Sequence, residues 1–253
     1  MSSNNTKTGW TMKVAKCPWT EDTVQEVKFV THILGLSGGE RILDLGCGYG
    51  RHALALAGRG YDVVGVDITP EYIDEAKDRA AAKRLNATFI CSNIIDIQFD
   101  TEFDVVLNLC DGAIGYSESD NDNELIFEII SRALVPNGQH LLQVLNRKHA
   151  EKHFPRRDWD FGQEAISLVE FQWDPDMLRM SYSERLAYWR RVLDECDNVL
   201  NVSVRLYSLS ELRNLLDRVG MRVVRVSSSL TEYVEFQDEE LILVVQSKKA
   251  GAS

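Results

Sequence analysis

The sequence has no apolar run of about 18 residues, the length at which a segment becomes a candidate membrane-spanning helix. Its first segment, Met1–Thr8, is polar and does not resemble a signal peptide. Positive charge is also scarce, because 28 Lys and Arg face 39 Asp and Glu, which gives a net charge of −11. A nucleic-acid backbone demands a basic protein surface. We therefore expect neither a membrane nor a nucleic-acid partner.

The cysteines are few, and their spacing shows no pairing motif. The five cysteines are odd in number, and no two of them form a CxxC pair. This usage is typical of reduced thiols, so we expect a cytoplasmic protein without disulfides or a zinc site. The sequence also lacks a His-x-His pair or a carboxylate cluster at ligand spacing, so no metal is expected.

The length and composition are those of an ordinary globular chain. It has 253 residues, of which 44% are hydrophobic and 26% are charged. Such a chain forms one large domain, or one domain that carries a cap.

A short glycine-rich stretch organises the rest of the chain. Arg41–Leu45 is an apolar run suited to a buried strand, glycines follow at positions 46, 48 and 50, and Arg51–Gly58 has the pattern of a helix. A strand, a glycine turn and a helix bring backbone N–H groups and a helix N-terminus up to a ligand. Glycine permits the positive φ angles and the close backbone approach that such a turn needs.

Two acids accompany this turn. Asp44 precedes the first glycine by two residues, and Asp67 ends the next predicted strand, Asp62–Val66. An acid at the second position can accept hydrogen bonds from ribose hydroxyls. The spacing is not the dinucleotide-binding GxGxxG, because Arg51 stands where the third glycine would be. Residues 42–70 instead resemble motif I and its acidic partner in the class I S-adenosylmethionine (SAM) methyltransferases.

That resemblance implies SAM as cofactor and S-adenosylhomocysteine (SAH) as product. Asp44 would lie near the positive groups of SAM, and Asp67 would accept from the ribose. Asn93 stands where the family usually has an acid that accepts from adenine, with the Ile94 N–H as a donor to the ring. The family folds its N-terminal segment over SAM, which makes Trp10 and Trp19 candidate lid aromatics. The cofactor-binding residues that we predict are Trp19, Asp44, Gly46, Cys47, Gly48, Gly50, His52, Asp67, Ile68, Tyr72, Asn93, Ile94, Leu109 and Cys110.

The resemblance and the alternating strand and helix patterns predict an α/β fold. We expect a doubly wound, Rossmann-like, seven-stranded sheet whose last strand is antiparallel. Between the fifth strand and the last helix the alternation stops, which predicts an antiparallel β insertion of two or three strands that serves as a substrate cap. The predicted parts are an N-terminal lid with the SAM-binding half of the core (1–145), the inserted cap (146–204) and the C-terminal part of the core (205–253).

Three further segments resemble the branch of this family that modifies small molecules: Gly50-Arg51-His52, Gly115-Tyr116-Ser117 and the Arg-Leu-Tyr-Ser stretch that begins at Arg205. The resemblance implies SN2 transfer of a methyl group to an N or O atom of a sugar, an amino sugar or another metabolite. An amine acceptor needs only to lose its proton, whereas a hydroxyl needs a base. We predict Tyr116 and His149 as catalytic residues, although His149 is equally explained as a solvated residue.

Two other functions stay open at this point. A SAM-binding regulatory protein without turnover would share the motif, and a nicotinamide-dependent oxidoreductase is disfavoured by the glycine spacing. The insertion is rich in aromatics, which would line an acceptor pocket, form a homodimer interface or pack the insertion onto its own core. These aromatics are Phe154, Trp159, Phe161, Phe171, Trp173, Tyr182, Tyr188 and Trp189.

Overall fold

The protein, a computed structural model, is described over residues 10–189 and 196–251. Short 3-10 helices at Met12–Lys16 and Pro18–Thr20 precede the first α-helix. The helices are α1 (Thr23–Ile33), α2 (Arg51–Ala57), α3 (Pro70–Lys83), α4 (Asp120–Ala133), α5 (Arg147–His153) and α6 (Leu209–Arg218). The strands are β1 (Arg41–Leu45), β2 (Asp62–Asp67), β3 (Ala87–Cys91), β4 (Phe103–Asn108), β5 (Leu134–Leu145), β6 (Arg156–Phe161), β7 (Ala165–Asp174), β8 (Arg179–Tyr188), β9 (Asp197–Arg205), β10 (Met221–Ser227) and β11 (Ile242–Lys249).

Seven strands form one mixed sheet in the order β10-β11-β5-β4-β1-β2-β3. The β1 strand lies between β2 and β4 and pairs with both in parallel. The last strand, β11, lies between β5 and β10 and is antiparallel to both. The predicted doubly wound sheet with an antiparallel last strand is therefore confirmed. This order places the loops after β1, β2 and β4 at one edge of the sheet.

Helices cover both faces of the sheet because its central strands are apolar on both sides. One core cluster joins β1 and β4 side chains to α4 and α6, with Phe103 and Phe127 fully buried. The other joins the opposite face to α1, α2 and α3. The longest helices, α3 and α4, have 14 residues each. Within the described residues, no helix is long and apolar enough to cross a membrane.

The insertion forms a separate antiparallel sheet in the order β6-β7-β8-β9, which we call the cap sheet. The expected count of two or three strands was too low, since four are present. The missed strand is β6, whose sequence Arg-Arg-Asp-Trp-Asp-Phe is largely charged. Such a segment has little intrinsic β preference and becomes a strand here by pairing with β7.

The N-terminal segment lies between the cap sheet and the core. Val14 and Cys17 pack in one buried cluster with Tyr49 and Tyr72 of the core and with Leu186 of β8. The cap sheet is thus anchored over the edge of the main sheet at which β1 and β2 end.

Candidate functional site

The loop after β1 adopts a backbone that glycine favours. Gly46, Gly48 and Gly50 have φ angles of 71°, 55° and 77°. A Cβ atom on Gly46 would lie 2.9 Å from the carbonyl carbon of Gly112, and one on Gly50 would lie 2.9 Å from the Phe89 ring. A Cβ atom on Gly48 would have Tyr72 Cδ2 as its nearest neighbour, at the ordinary contact distance of 3.9 Å. The first and third glycines therefore permit packing, whereas the second leaves open space.

The N–H groups of this loop bond within the protein. Those of Gly46 and Cys47 both donate to the Val66 carbonyl, at 2.8 and 3.0 Å. The Gly48 N–H donates to Asp67 Oδ2 at 2.9 Å. The N–H groups of Gly46, Cys47 and Gly48 thus hold the turn against β2 and Asp67. At the centre of the loop, Gly48 leaves open space beside the Tyr72 ring.

Asp67 connects two loops at the sheet edge. While Oδ2 accepts from Gly48, Oδ1 accepts from the Thr69 N–H at 2.8 Å, in the turn that leads into α3. A carboxylate oxygen has two lone-pair sites, so each oxygen can accept a second hydrogen bond from a ligand.

Asp44 is a buried acid with an unsatisfied oxygen. The residue is 2% exposed, and its Oδ2 has no hydrogen-bond partner within the described residues. Burial raises the pKa of Asp44 to about 7, although the positive charge of Arg51 opposes the shift. A buried acceptor without a donor is costly, so this atom fits a cationic ligand group such as an ammonium.

Behind the loop, α1 and α2 are joined by a buried ionic cluster. Arg51 and His52 both contact the Glu26 carboxylate, His52 through Nε2 at 3.0 Å. Burial alone would raise the pKa of Glu26, but the hydrogen bonds from His52 and Arg51 lower it to about 2. Burial and the charge of Arg51 lower the pKa of His52 to about 4. His52 is therefore a neutral, hydrogen-bonded residue rather than a free base.

A cavity of about 610 Å³ extends from the glycine loop to the cap sheet. Apart from Gly50, all of the predicted cofactor-binding residues line it: Trp19, Asp44, Gly46, Cys47, Gly48, His52, Asp67, Ile68, Tyr72, Asn93, Ile94, Leu109 and Cys110. Gly50 is the N-cap of α2, where an added Cβ would lie 2.9 Å from the Phe89 ring. The volume is within the range of about 300–1,000 Å³ that ligand sites usually have.

The two predicted catalytic residues are placed differently. Tyr116 lines the cavity. His149 does not: it is buried on α5, where its Nδ1 bonds the Glu239 carbonyl at 2.8 Å and its ring lies 4.4 Å from that of His153. The prediction that groups His149 with Tyr116 as a catalytic residue is therefore corrected. It rested on closeness in sequence to the end of β5, but α5 turns the side chain towards the β10–β11 connection.

The N-terminal segment closes one side of the cavity with aromatic side chains. Trp10 and Trp19 both line it. The Trp10 ring lies 6.2 Å from that of Tyr116, and the Arg51 guanidinium lies 5.7 Å from the Trp19 ring. The Trp19 indole N–H also donates to Glu184 on β8, at 3.4 Å. This segment is held in place by both the core and the cap sheet.

Several cavity residues were not predicted. They are Val14, Tyr49, Arg51, Thr69, Ser92, Ile95, Gly112, Ala113, Ser117, Glu118, Asp122 and Ile126 of the core side, and Arg179, Asn201, Val202 and Ser203 of the cap sheet. Only the Gly-Arg-His and Gly-Tyr-Ser resemblances pointed towards Arg51 and Ser117. The cap residues give no local signal, because polar residues on an antiparallel strand are usually solvated. Within the described residues, no group of three or more His, Cys, Asp and Glu side chains could hold a metal ion.

Comparisons with known proteins agree with this geometry. A family model described as "Methyltransferase domain" matches residues 42–138. The Bacillus subtilis (strain 168) protein named "Putative methyltransferase YqeM" is 27% identical over 84% of this chain and 86% of its own. A S-adenosylmethionine-dependent methyltransferase from Clostridium acetobutylicum ATCC 824 superposes with a TM-score of 0.76 at 15% identity, covering 94% of this chain and 97% of that chain. The sugar N-methyltransferase KedS8 from Streptoalloteichus sp ATCC 53650 has a TM-score of 0.66 at 17% identity, covering 91% and 89%.

The solved structures share the fold, and the family match covers the segment that carries the glycine loop, Asp44 and Asp67. The sheet order and the cavity beside the glycine loop agree with these comparisons. Residues 42–138 thus match a methyltransferase domain, and the chain has the fold of solved S-adenosylmethionine-dependent methyltransferases.

Proposed function

We propose that the protein transfers a methyl group from SAM to an N or O atom of a small-molecule acceptor. The observation that carries this proposal is the cavity that joins the glycine loop to the cap sheet. A cavity of this size suits a metabolite better than a macromolecule. When bound, SAM supplies a methyl group on a sulfonium, which an acceptor attacks in line, and the protein's contribution is to position the two.

We assign the cofactor to the core side of the cavity. Asp44 would hold the ammonium group, and Asp67 would accept from the ribose hydroxyls. Asn93 Oδ1 already accepts from the Ile95 N–H at 3.3 Å, so it caps a 3-10 turn and has one acceptor site left for adenine. The Ile94 N–H would donate to the ring.

We assign the acceptor to the side formed by the cap sheet and the loop that contains Tyr116. Burial and nearby acidic groups raise the pKa of Tyr116 well above its ordinary value, so its hydroxyl stays protonated and orients the acceptor as a hydrogen-bond group. Glu118 and Asp122 place carboxylates in the same lining. An amine acceptor suits this environment, and KedS8, which shares the fold, is by its name a sugar N-methyltransferase.

Incubation with methyl-labelled SAM tests the proposal. We expect label in one class of amine or hydroxyl metabolite, detected by mass spectrometry. Total RNA and a protein extract serve as parallel acceptors, because label in either of them would overturn the small-molecule assignment. Tight SAM binding without transfer to any acceptor would favour the regulatory alternative.

We expect Asp44 to make cofactor binding depend on pH. In the free protein its pKa of about 7 exceeds the value of about 3.9 in an unfolded chain. Its contribution to stability is therefore present below about pH 4 and is lost as the pH rises through 7. Binding of an ammonium group needs the ionised form, so SAH affinity should fall up to about tenfold per unit below pH 7.

Calorimetry between pH 5.5 and 8 measures this pH dependence of SAH affinity, with Asp44→Asn as a variant that binds weakly and shows no such dependence. An equal pH dependence in Asp44→Asn would contradict the assignment.

We also infer a homodimer formed through the cap sheet. At its edge strand β6, Trp159 and Phe161 are 61% and 57% exposed. Their rings lie 4.8 Å apart, and that of Phe161 stacks on Trp189 at 5.5 Å. An unpaired edge beside exposed aromatics favours pairing, and antiparallel addition of a second β6 would satisfy the edge and cover the rings. Light scattering should give a dimer for the wild type and a monomer for Trp159→Glu/Phe161→Glu. Val224→Glu, at an exposed site on β10, should stay dimeric, and a monomeric wild type at micromolar concentration would rule the dimer out.

A further inference from the structure

The loop between β4 and α4 carries an unusual backbone. Cys110, Asp111 and Ala113 have φ angles of 53°, 68° and 66°, although none of them is glycine. Such conformations persist when surrounding contacts determine them, and they are frequent at functional sites. The contacts that hold this loop therefore decide where its cavity-lining side chains lie.

The first half of the loop is held by the core. The Cys110 N–H donates to Gln143 Oε1 at 3.0 Å, and the Asp111 N–H donates to the Gln143 carbonyl at 2.9 Å. Asn108 Nδ2 donates to the Gly112 carbonyl at 2.8 Å. These bonds come from β4 and β5, and they do not involve the cap sheet.

The second half, which carries Tyr116, is held by the cap sheet and, at Ser117, also by Asn123 of α4. Arg179 of β8 donates from Nη1 to the Ser117 carbonyl at 3.0 Å and from Nη2 to the Gly115 carbonyl at 3.2 Å. The Arg205 N–H at the end of β9 donates to the same Gly115 carbonyl at 2.8 Å. A Cβ on Gly115 would lie 2.2 Å from the Arg205 carbonyl oxygen, so glycine alone permits this approach.

Arg179 is itself fixed by the cap sheet. Its Nε donates to Ser203 Oγ at 2.9 Å, and its Nη2 donates to the Ser203 carbonyl at 2.8 Å. Four hydrogen bonds to neutral acceptors thus use most of its five donors. The planar guanidinium reaches the two carbonyls on either side of Tyr116 at once, which the single ammonium of a lysine would not reproduce.

We propose that Arg179 is a positioning residue, which fixes Tyr116 for methyl transfer from the cap sheet. This inference rests on the proposed function, in which Tyr116 orients the acceptor. It also gives the cap sheet a second task beside lining the cavity: it sets the geometry of a core loop. Cofactor binding should be independent of Arg179, because Asp44 and Asp67 are held by other contacts.

Kinetics of five variants test the role in catalysis. We expect Arg179→Gln to lower kcat at least tenfold with SAH affinity within twofold of wild type, and Arg179→Lys to recover only part of the loss. If Arg179 acts through Tyr116, the double variant Arg179→Gln/Tyr116→Phe should be no slower than Tyr116→Phe. Arg222→Gln is the matched control, because this arginine is exposed on β10, away from both the cavity lining and the β6 edge. Additive losses in the double variant, or a wild-type kcat in Arg179→Gln, would overturn the proposal.

Hydrogen exchange tests the loop without any acceptor. With SAH bound, the peptide 110–117 should exchange at least tenfold faster in Arg179→Gln than in wild type or Arg222→Gln. The reporting amides are those of Ile114 and Ser117, which bond Asp111 O at 2.8 Å and Asn123 Oδ1 at 3.2 Å. Unchanged exchange overturns the inference even if an acceptor is found. If wild type methylates no acceptor, the proposed function fails together with the catalytic role of Arg179, while the exchange result still decides whether Arg179 holds the loop.

Discussion

Gly48→Val should abolish cofactor binding while the protein stays folded. We expect wild type to bind SAH with a micromolar Kd, about −8 kcal/mol, and the variant to lose at least about 100-fold, or about 2.8 kcal/mol. A Cβ at Gly48 meets only the Tyr72 ring, at 3.9 Å, so it makes no clash in the free protein. Gly48 and Tyr72 both line the cavity, and the valine would take space that the cofactor needs. Calorimetry with SAH measures the loss.

The matched control is Gly60→Val. Gly60 also has a positive φ, 95°, and a Cβ there would meet nothing within 4 Å. Valine therefore costs about 1–2 kcal/mol of backbone strain at either position. Gly60 does not line the cavity, so both variants should lose similar thermal stability while only Gly48→Val loses SAH binding. Equal SAH affinity in the two variants would show that the glycine loop does not contact the cofactor.

Asp67→Ala should weaken SAH binding by about 1.5–3 kcal/mol, the range for hydrogen bonds to charged groups. That is roughly 10–150-fold in Kd. The alanine removes the proposed ribose acceptor and also the partner of the Gly48 N–H, so the loop loses a contact at the same time. The measurement is again calorimetry with SAH.

Asp62→Ala is the control for this variant. Asp62 begins the same strand, β2, and pairs with Arg41 at 3.3 Å at the end away from the cavity. Its loss should leave SAH affinity within twofold of wild type. Asn93→Ala should cost less than Asp67→Ala, about 1 kcal/mol, because its hydrogen bond is neutral. An Asp67→Ala protein with unchanged affinity would place the ribose elsewhere.

The parts of the site that local sequence determines were predictable. A strand, a turn with glycines at alternate positions and a helix are encoded within residues 41–58, and Asp44 is part of the same segment. Asp67 could be added because the next parallel strand ends at the same edge of the sheet. The side-chain assignments in this region are still proposals, but nearly all of these residues line one cavity.

The parts that depend on long-range pairing were not predictable. Arg179, Asn201 and Ser203 reach the cavity because β8 and β9 pair in a particular register, and a shift of one residue would turn them to the other face. The charged β6 gives no strand signal of its own. His149 shows the converse error, since a residue close in sequence to the sheet edge need not face the ligand.

The position of β11 has a consequence for how the polypeptide acquires its fold. This strand lies between β5 and β10, yet it is the last strand along the sequence. Until residues 242–249 have been synthesised, one edge of β5 has no partner and β10 has no neighbour in the sheet. An unfinished chain therefore exposes an apolar strand edge, the feature that makes partly folded chains aggregate. The strand Ile242–Lys249 completes the sheet, and a chain that lacks it leaves one edge of β5 open.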